Sequence, residues 1–155
     1  MPIPWSEFEA REPELAATSR RLLYPIGPKG PGLGFLATTR ADGGPRVHPV
    51  CPALYADGLY VFVMPGSPKR FDLERDGRYA LHAYPAEKDD ESFYCIGRAL
   101  AVSDPGLRER AIPSFTHHVK PEEALFELRL HRVLHTVWLN ARQPGTKPVY
   151  HRWQA

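Results

Sequence analysis

Residues 46–70 decide how this chain is read: Arg46-Val-His-Pro-Val-Cys51, then Leu59-Tyr-Val-Phe-Val-Met64, then Pro65-Gly-Ser-Pro-Lys-Arg70. Two apolar runs in succession read as strands, and the Gly/Pro turn after them delivers two cations to the start of a helix. Side chains alternate across a strand, so Arg46 and His48 share one face, with Val47 and Cys51 on the other. The turn gathers Ser67, Lys69 and Arg70 beside the unpaired backbone N–H groups of a helix N-terminus. Those are the ingredients of an anion site, and a dianionic phosphate is its natural occupant.

The same punctuation continues on both sides. Gly34–Thr39 reads as a strand, Asp42-Gly43-Gly44 as a hairpin turn, and 45–52 as the returning strand. Pro49 has no N–H to give, so this second strand must lie at an edge or be bulged. Asp57-Gly58 turns the chain into the strand at 59–64. A short helix at 69–75 and a strand at 79–84 follow. The longest β run is 92–103, with Gly97 inside it marking a bulge or a close approach. Asp104-Pro105 opens a helix. A second helical piece is expected at 121–124, then a strand pair at 126–135 and 136–139.

Before this β region, Ser6 with Glu9 three residues on forms a capping-box signature for a helix from Glu7, which Pro13 interrupts or restarts. Residues 24–32, rich in Gly and Pro, form a loop. The expected organisation is one domain over 1–155: an N-terminal helical region at about 6–23, a barrel at about 33–139 and a C-terminal tail at 140–155. Five to seven antiparallel strands with tight turns and few short helices make the fold class mainly β, a small closed barrel.

Composition excludes several functions. The chain has 155 residues, 43% of them hydrophobic and 25% charged, which suits an ordinary soluble domain with a real core. A net charge of +2 is too small to argue for nucleic acid. Cations gather near the end (Arg129, Arg132, Arg142, Lys147, Arg152), and carboxylates at the start (Glu7, Glu9, Glu12, Glu14). Cys51 and Cys95 read as buried free thiols rather than a disulfide scaffold. With no signal peptide and no run of about 18 apolar residues, a cytoplasmic location is expected, away from membranes.

With these residues in hand, the segment from Leu33 to Leu100 resembles the FMN-binding split β-barrel family typified by pyridoxamine 5'-phosphate oxidase. The resemblance rests on Phe35-Leu-Ala-Thr-Thr, Asp42-Gly-Gly-Pro-Arg-Val, Gly66-Ser-Pro-Lys-Arg, Leu73-Glu-Arg-Asp-Gly-Arg-Tyr-Ala-Leu and Ile96-Gly-Arg-Ala, in that order and spacing. It implies that Arg46, Val47, His48, Pro49, Val50 and Cys51 run alongside a flavin. Phe62 and Val63 would touch its ring or ribityl chain, and Ser67 and Lys69 would grip its phosphate. It also implies a homodimer with the flavin in the subunit interface. Pro68 stands where the oxidase has a second phosphate-binding cation, with Arg70 next door as the substitute. Ser92 stands where the oxidase has a glutamine. The ending Lys147-Pro-Val-Tyr-His-Arg-Trp-Gln-Ala lacks the paired Arg and His that hold the vitamer, so the resemblance does not reach vitamer oxidation.

The reading that follows is a flavin-dependent oxidoreductase with FMN as cofactor and an unidentified small-molecule substrate. His48 is the one catalytic candidate, because it alone on the cofactor strand has a suitable ordinary pKa for proton transfer. The alternatives are a reductase using a deazaflavin, whose acidic tail the C-terminal cations would bind, and a non-enzymatic flavin- or haem-binding barrel. His131 and His135 share a strand face by spacing, but two histidines fall short of a structural zinc set, and they read as surface or interface residues. His117 and His118 diverge in any regular structure. Trp138 and Trp153 read as packing anchors. The aromatic strand residues Tyr55, Tyr60, Phe62, Tyr79, Tyr84, Phe93 and Tyr94 exceed what one small barrel holds, which favours the dimer.

Overall fold

Proline decides where the first helices begin. In the computed structural model, which describes residues 1–85 and 90–155, α1 (Trp5–Arg11) and α2 (Pro13–Leu23) meet at Glu12, with Pro13 in the first turn of α2. The missing N–H of Pro13 costs nothing there, since the first N–H groups of a helix have no partner within it. The single helical region expected over 6–23 is therefore two helices. The capping box at Ser6 is not formed: α1 starts two residues earlier, behind Pro4, and the Ser6 N–H donates instead to the Asp57 carbonyl (3.0 Å).

The β region consists of β1 (Gly34–Thr39), β2 (Pro45–Val50), β3 (Ala53–Tyr55), β4 (Gly58–Val63), β5 (Arg78–Ala83), β6 (Glu91–Ala101), β7 (Ala124–Leu139) and β8 (Lys147–Gln154). Helix α3 (Pro68–Arg75) follows β4, and α4 (Pro105–Ala111) follows β6. All pairings are antiparallel, in the order β2-β1-β5-β6-β7-β4-β3, with β8 also on β7. Pro49 is accommodated as expected, because β2 is an edge strand. The two ends of the path, β2 and β3, do not pair, so the barrel is split rather than closed. Only Cys51 and Pro52 separate them in sequence, and the chain turns across the split at that corner.

Three expectations at the C-terminal end need correction. Residues 121–122 are a turn leading into β7, whose first residue is Ala124; the helical turn that does form is a 3-10 turn earlier, at Ile112–Ser114. The strand pair expected at 126–135 and 136–139 is one strand of 16 residues. It is long because β6 lies along one edge while the other edge is shared, β4 pairing with its first four residues and β8 with its last eight. The tail at 140–155 contains β8, a strand invisible to local pattern because Pro148, His151 and Arg152 break the apolar alternation. Strand β3 was likewise hidden inside the stretch between two turns.

Gly97 marks a bulge, as its place in a strand suggested. The register shifts between Ile96 and Gly97, and a Cβ on Gly97 would lie 1.8 Å from the Arg129 carbonyl oxygen. The extra residue on β7 is His131, so inward side chains change parity there, from Leu128 and Leu130 to Val133 and His135. His131 and His135 are therefore not a simple alternating pair.

Inside, Leu59, Val61 and Val63 of β4 enter the main core with Leu36, Leu81, Phe93, Phe126 and Leu128. Helix α1 closes one end of it with Trp5 and Phe8, whose ring meets Trp153 at 4.9 Å, so Trp153 is the anchor it was read to be. Trp138 stays largely exposed. The opposite side chains of β4, Tyr60 and Phe62, build a second cluster with Phe115 and Leu125. Each such side chain, fully buried, contributes roughly 1.5–3 kcal/mol. Tyr60, Phe62, Tyr79 and Phe93 are thus spent within the chain, which weakens the argument from surplus aromatics. Cys95 is buried, and desolvation pushes its thiol up to about 12; Cys51 is only half-buried. No helix among the described residues is long and apolar enough to cross a membrane.

Candidate functional site

At the split, the corner after β2 and the end of β4 open onto a cavity of about 620 Å³. That volume lies within the roughly 300–1,000 Å³ range of small-molecule sites. Pro49, Val50 and Cys51 supply one wall, Phe62 and Met64 another, and Lys69 stands at the start of α3. These places follow from local structure: β2 ends where Pro52 and β3 begin, and Pro65-Gly66 turns the chain sharply into a helix opened by Pro68.

Lys69 and Ser67 form the polar point of this wall. The Lys69 ammonium donates to Ser67 Oγ at 3.0 Å and has no carboxylate partner among the described residues. Burial lowers the Lys69 pKa, as expected for an ammonium held away from water without a counter-charge. Ser67 occupies the cap position of α3 without its side chain bonding the helix backbone, which leaves that hydroxyl committed to Lys69. A half-buried cation with no carboxylate partner, beside a hydroxyl and a helix start, suits a bound phosphate.

Arg46 lies elsewhere. Its Nε donates to Asp72 Oδ2 at 2.7 Å, in a separate hollow of about 360 Å³ that also has Arg40, Asp42, Phe71 and Arg75 on its walls. Asp72 is 3% exposed and accepts from Thr38 Oγ1 (2.8 Å) as well. Burial alone would raise its carboxyl; the hydrogen bonds from Arg46 and Thr38 outweigh that and lower it. Arg40 is paired with Asp42 (2.9 Å) and Arg75 with Asp72 (3.4 Å), so each arginine of the hollow has a carboxylate partner, Asp72 serving both Arg46 and Arg75. Arg70 bonds Glu74 (2.9 Å) and the Glu122 carbonyl (3.4 Å) and does not line the cavity.

His48 shares the inner face with Arg46, as alternation required. Its Nδ1 is buried with no hydrogen-bond partner. Burial lowers its pKa, and the Lys69 and Arg46 charges lower it further against the pull of Asp72. A neutral imidazole with an unused ring nitrogen is the result. Val47 points outward, 58% exposed, and the Val63 side chain is fully inside the core, so neither side chain reaches the cavity.

Sequence reading missed one part of the cavity's lining. His117, His118, Lys120 and Glu123 line it from the segment between α4 and β7. Arg108 of α4 fixes that segment, donating to the carbonyls of Lys120 (2.9 Å), Pro121 (3.1 Å) and Glu123 (3.3 Å) while its guanidinium lies 5.2 Å from the Phe62 ring centroid. Nothing local marks these residues; only the fold brings 108 and 117–123 to residues 49–69. His135 is also not the surface residue it was read to be: it is buried, with Nε2 2.8 Å from Glu91 Oε2 and its ring stacked on His151. Among the described residues, no three His, Cys, Asp or Glu side chains converge as metal ligands.

An antiparallel split barrel, its opening lined by a proline-bearing edge strand and a basic turn, defines the class: a β-barrel of the split type. The chain belongs to the pyridoxamine 5'-phosphate oxidase family, whose profile matches residues 27–136. No curated protein matches the sequence. Among solved structures, PhzG from Burkholderia lata, in complex with tetrahydrophenazine-1-carboxylic acid, is 15% identical with a TM-score of 0.59, over 98% of this chain and 94% of that one. General stress protein 26 from Bacillus anthracis is 18% identical (TM-score 0.57, 86% and 98%). A heme binding protein from Mycobacterium smegmatis is 17% identical (TM-score 0.58), and the chain covers 87% of itself but 57% of that protein. At such identities the likeness is one of fold.

Proposed function

We propose that this protein binds FMN in the cavity at the barrel split and works as a flavin-dependent oxidoreductase. The observation that carries the reading is the Lys69–Ser67 pair: a half-buried ammonium without a carboxylate partner among the described residues, 3.0 Å from a hydroxyl, at the lip of a cavity of about 620 Å³. The residues fit the group. Lys69, Ser67 and the first turn of α3 would hold its phosphate, and Pro49, Val50, Cys51 and Phe62 would flank its ring system. When bound, the flavin supplies the hydride and electron transfer; the chain supplies binding, orientation and exclusion of water.

Within that division of labour each residue has a physical task. Phe62, held against Phe115 at 4.8 Å, keeps one wall apolar and dry. His48, on β2 itself, keeps a buried Nδ1 without a hydrogen-bond partner and stays neutral near pH 7. Arg46 acts as a positioning residue: tied to Asp72, it fixes β2 to α3, the two elements between which the cofactor would lie. Val47 and its outward neighbours belong to the proposed homodimer interface rather than to direct cofactor contacts.

Titration of the cofactor-free protein with FMN and with riboflavin, followed by flavin fluorescence, tests this. FMN is expected to bind at one site per chain and riboflavin much more weakly, because riboflavin lacks the phosphate. Equal affinities would remove the phosphate assignment. An absorption spectrum of freshly purified protein separates bound flavin from deazaflavin and from haem.

A further inference from the structure

We propose that the Glu123 carboxylate accepts hydrogen bonds from the ribityl hydroxyls of the flavin, so that the cavity reads a polyol chain next to the phosphate held by Lys69 and Ser67. The inference rests on the cofactor reading above and adds to it the residue that recognises the chain between phosphate and ring. Four residues of the segment between α4 and β7 line the cavity, and three of them, His117, His118 and Lys120, are exposed. Glu123 is the exception, only 7% exposed. Its position follows from the sheet. Val63 of β4 pairs with Ala124 of β7, which brings Glu123 alongside Met64 at the end of β4. Arg70 Nη1 donates to the Glu122 carbonyl at 3.4 Å and ties the same turn to α3. Glu123 and Lys69 therefore belong to one end of the cavity.

The side chain there is held in place and short of partners. The Glu123 N–H donates to the Lys120 carbonyl at 3.1 Å, and the Lys120 N–H returns to Glu123 Oε1 at 3.2 Å. One terminal nitrogen of Arg108 donates to the carbonyls of Lys120, Pro121 and Glu123 and fixes the turn. Beyond the Lys120 N–H, the carboxylate has no hydrogen-bond or ion-pair partner among the described residues. An ionised carboxylate only accepts, at about four sites, and a buried one that leaves most of them unused costs stability unless an occupant supplies donors. A dianionic phosphate brings none. The chain that joins it to the ring does, because each of its secondary hydroxyls donates, and covalent connection sets them beside the end that holds the phosphate. A carboxylate takes such O–H donors in charge-assisted hydrogen bonds. Elsewhere the lining is apolar, with Leu33, Val50 and Phe62, and suits the ring rather than the polyol.

The test titrates cofactor-free protein with FMN, riboflavin and lumiflavin, which share one ring system and lose first the phosphate and then the polyol, with binding read by flavin fluorescence. Riboflavin is expected to bind more tightly than lumiflavin by at least about tenfold. Glu123→Ala should weaken riboflavin by roughly tenfold to a hundredfold, the worth of hydrogen bonds to a charged acceptor, and lumiflavin by less than about threefold. Glu123→Gln, which keeps an acceptor oxygen without the charge, should fall between. Lys69→Ala should lower the FMN-to-riboflavin ratio and leave the riboflavin-to-lumiflavin ratio as it is. Equal affinities for riboflavin and lumiflavin in the parent overturn the proposal. So does an unchanged ratio in Glu123→Ala, even if both ligands weaken, since Glu123 would then act through packing alone. Absence of binding by all three flavins would instead strike the cofactor reading. Calorimetry with ribitol 5-phosphate and with inorganic phosphate, on the parent and on Glu123→Ala, then decides the polyol claim separately, and equal affinities of the parent for the two overturn it.

Discussion

Arg46 Nε donates to Asp72 Oδ2 at 2.7 Å, and this contact turns toward a buried acid the cation that strand alternation had aimed at a ligand. Alternation correctly placed Arg46 on the inner face, in register with Thr38. It carried no information about α3, whose Asp72 meets that face from above and takes hydrogen bonds from both residues.

Asp72→Asn should therefore destabilise the protein by about 3 kcal/mol, the lower end of what breaking a buried ion pair costs, because Arg46 keeps some contact with water. Asp72 has its carboxyl lowered in the folded state, so its contribution is present above the ordinary Asp value near 3.9 and is lost as pH falls through the folded value. Urea denaturation at pH 7 and at pH 3 checks this. The gap between variant and parent should shrink at pH 3, and an equal gap at both would contradict the assignment.

Lys69→Ala should weaken FMN by roughly tenfold to a hundredfold, the worth of a charge-assisted bond to phosphate. Arg70→Ala, which removes a residue bonded to Glu74 outside the cavity, should change affinity less than about threefold. Since burial lowers the Lys69 pKa, FMN affinity should decline with rising pH before an ordinary lysine titrates. Fluorescence titrations of the two variants, and of the parent from pH 7 to 10, supply the readout. If both substitutions act alike, Lys69 is not the inward cation.

How much of this was legible follows from the range of the forces involved. Gly34–Thr39, the Asp42-Gly43-Gly44 turn and the helix opened by Asp104-Pro105 are set by neighbours in sequence, and they form as read; the structure adds that Asp104 accepts from the Gly106 N–H at 2.8 Å. Lys69 and Ser67 were legible for the same reason, being two residues apart on one turn. Strand β8 and the Arg108 clamp were not, because their partners lie at β7 and at 120–123. His131 misled because a bulge set by a glycine on β6 reversed the alternation on the strand opposite.

Gly97→Ala tests that bulge. Its Cβ would meet a backbone carbonyl at 1.8 Å, which no rotamer change relieves. A loss of at least about 3 kcal/mol is expected, at the upper end for forced overpacking, or a fall of roughly 6–12 °C in Tm for a chain this size. Gly66→Ala is the control, since a Cβ there meets nothing within 4 Å and should leave Tm nearly unchanged. Similar Tm values for the two variants would mean that Gly97 tolerates a side chain and that the bulge is not held by close approach.

The outer face of β1 and β2 bears on assembly. Phe35 and Pro49 are paired in register on that face, Ala37 with Val47 beside them, and Tyr84 stacks on Phe35 at 5.5 Å while remaining 51% exposed. An apolar sheet face adjoining the cavity at Pro49 calls for a cover, and a second copy meeting it across a two-fold axis would bury both faces at once. The expected assembly is a homodimer with an interface in the obligate range, above about 2,000 Å² in total. Light scattering at low micromolar concentration should give about twice the 17.5 kDa chain mass. Val47→Asp, which places a charge at the centre of that face without touching the cavity wall, should shift the protein to monomer and weaken FMN with it, because the cofactor would lose its partner-side wall. A parent protein that is monomeric yet binds FMN tightly would contradict both the interface and the shared cavity.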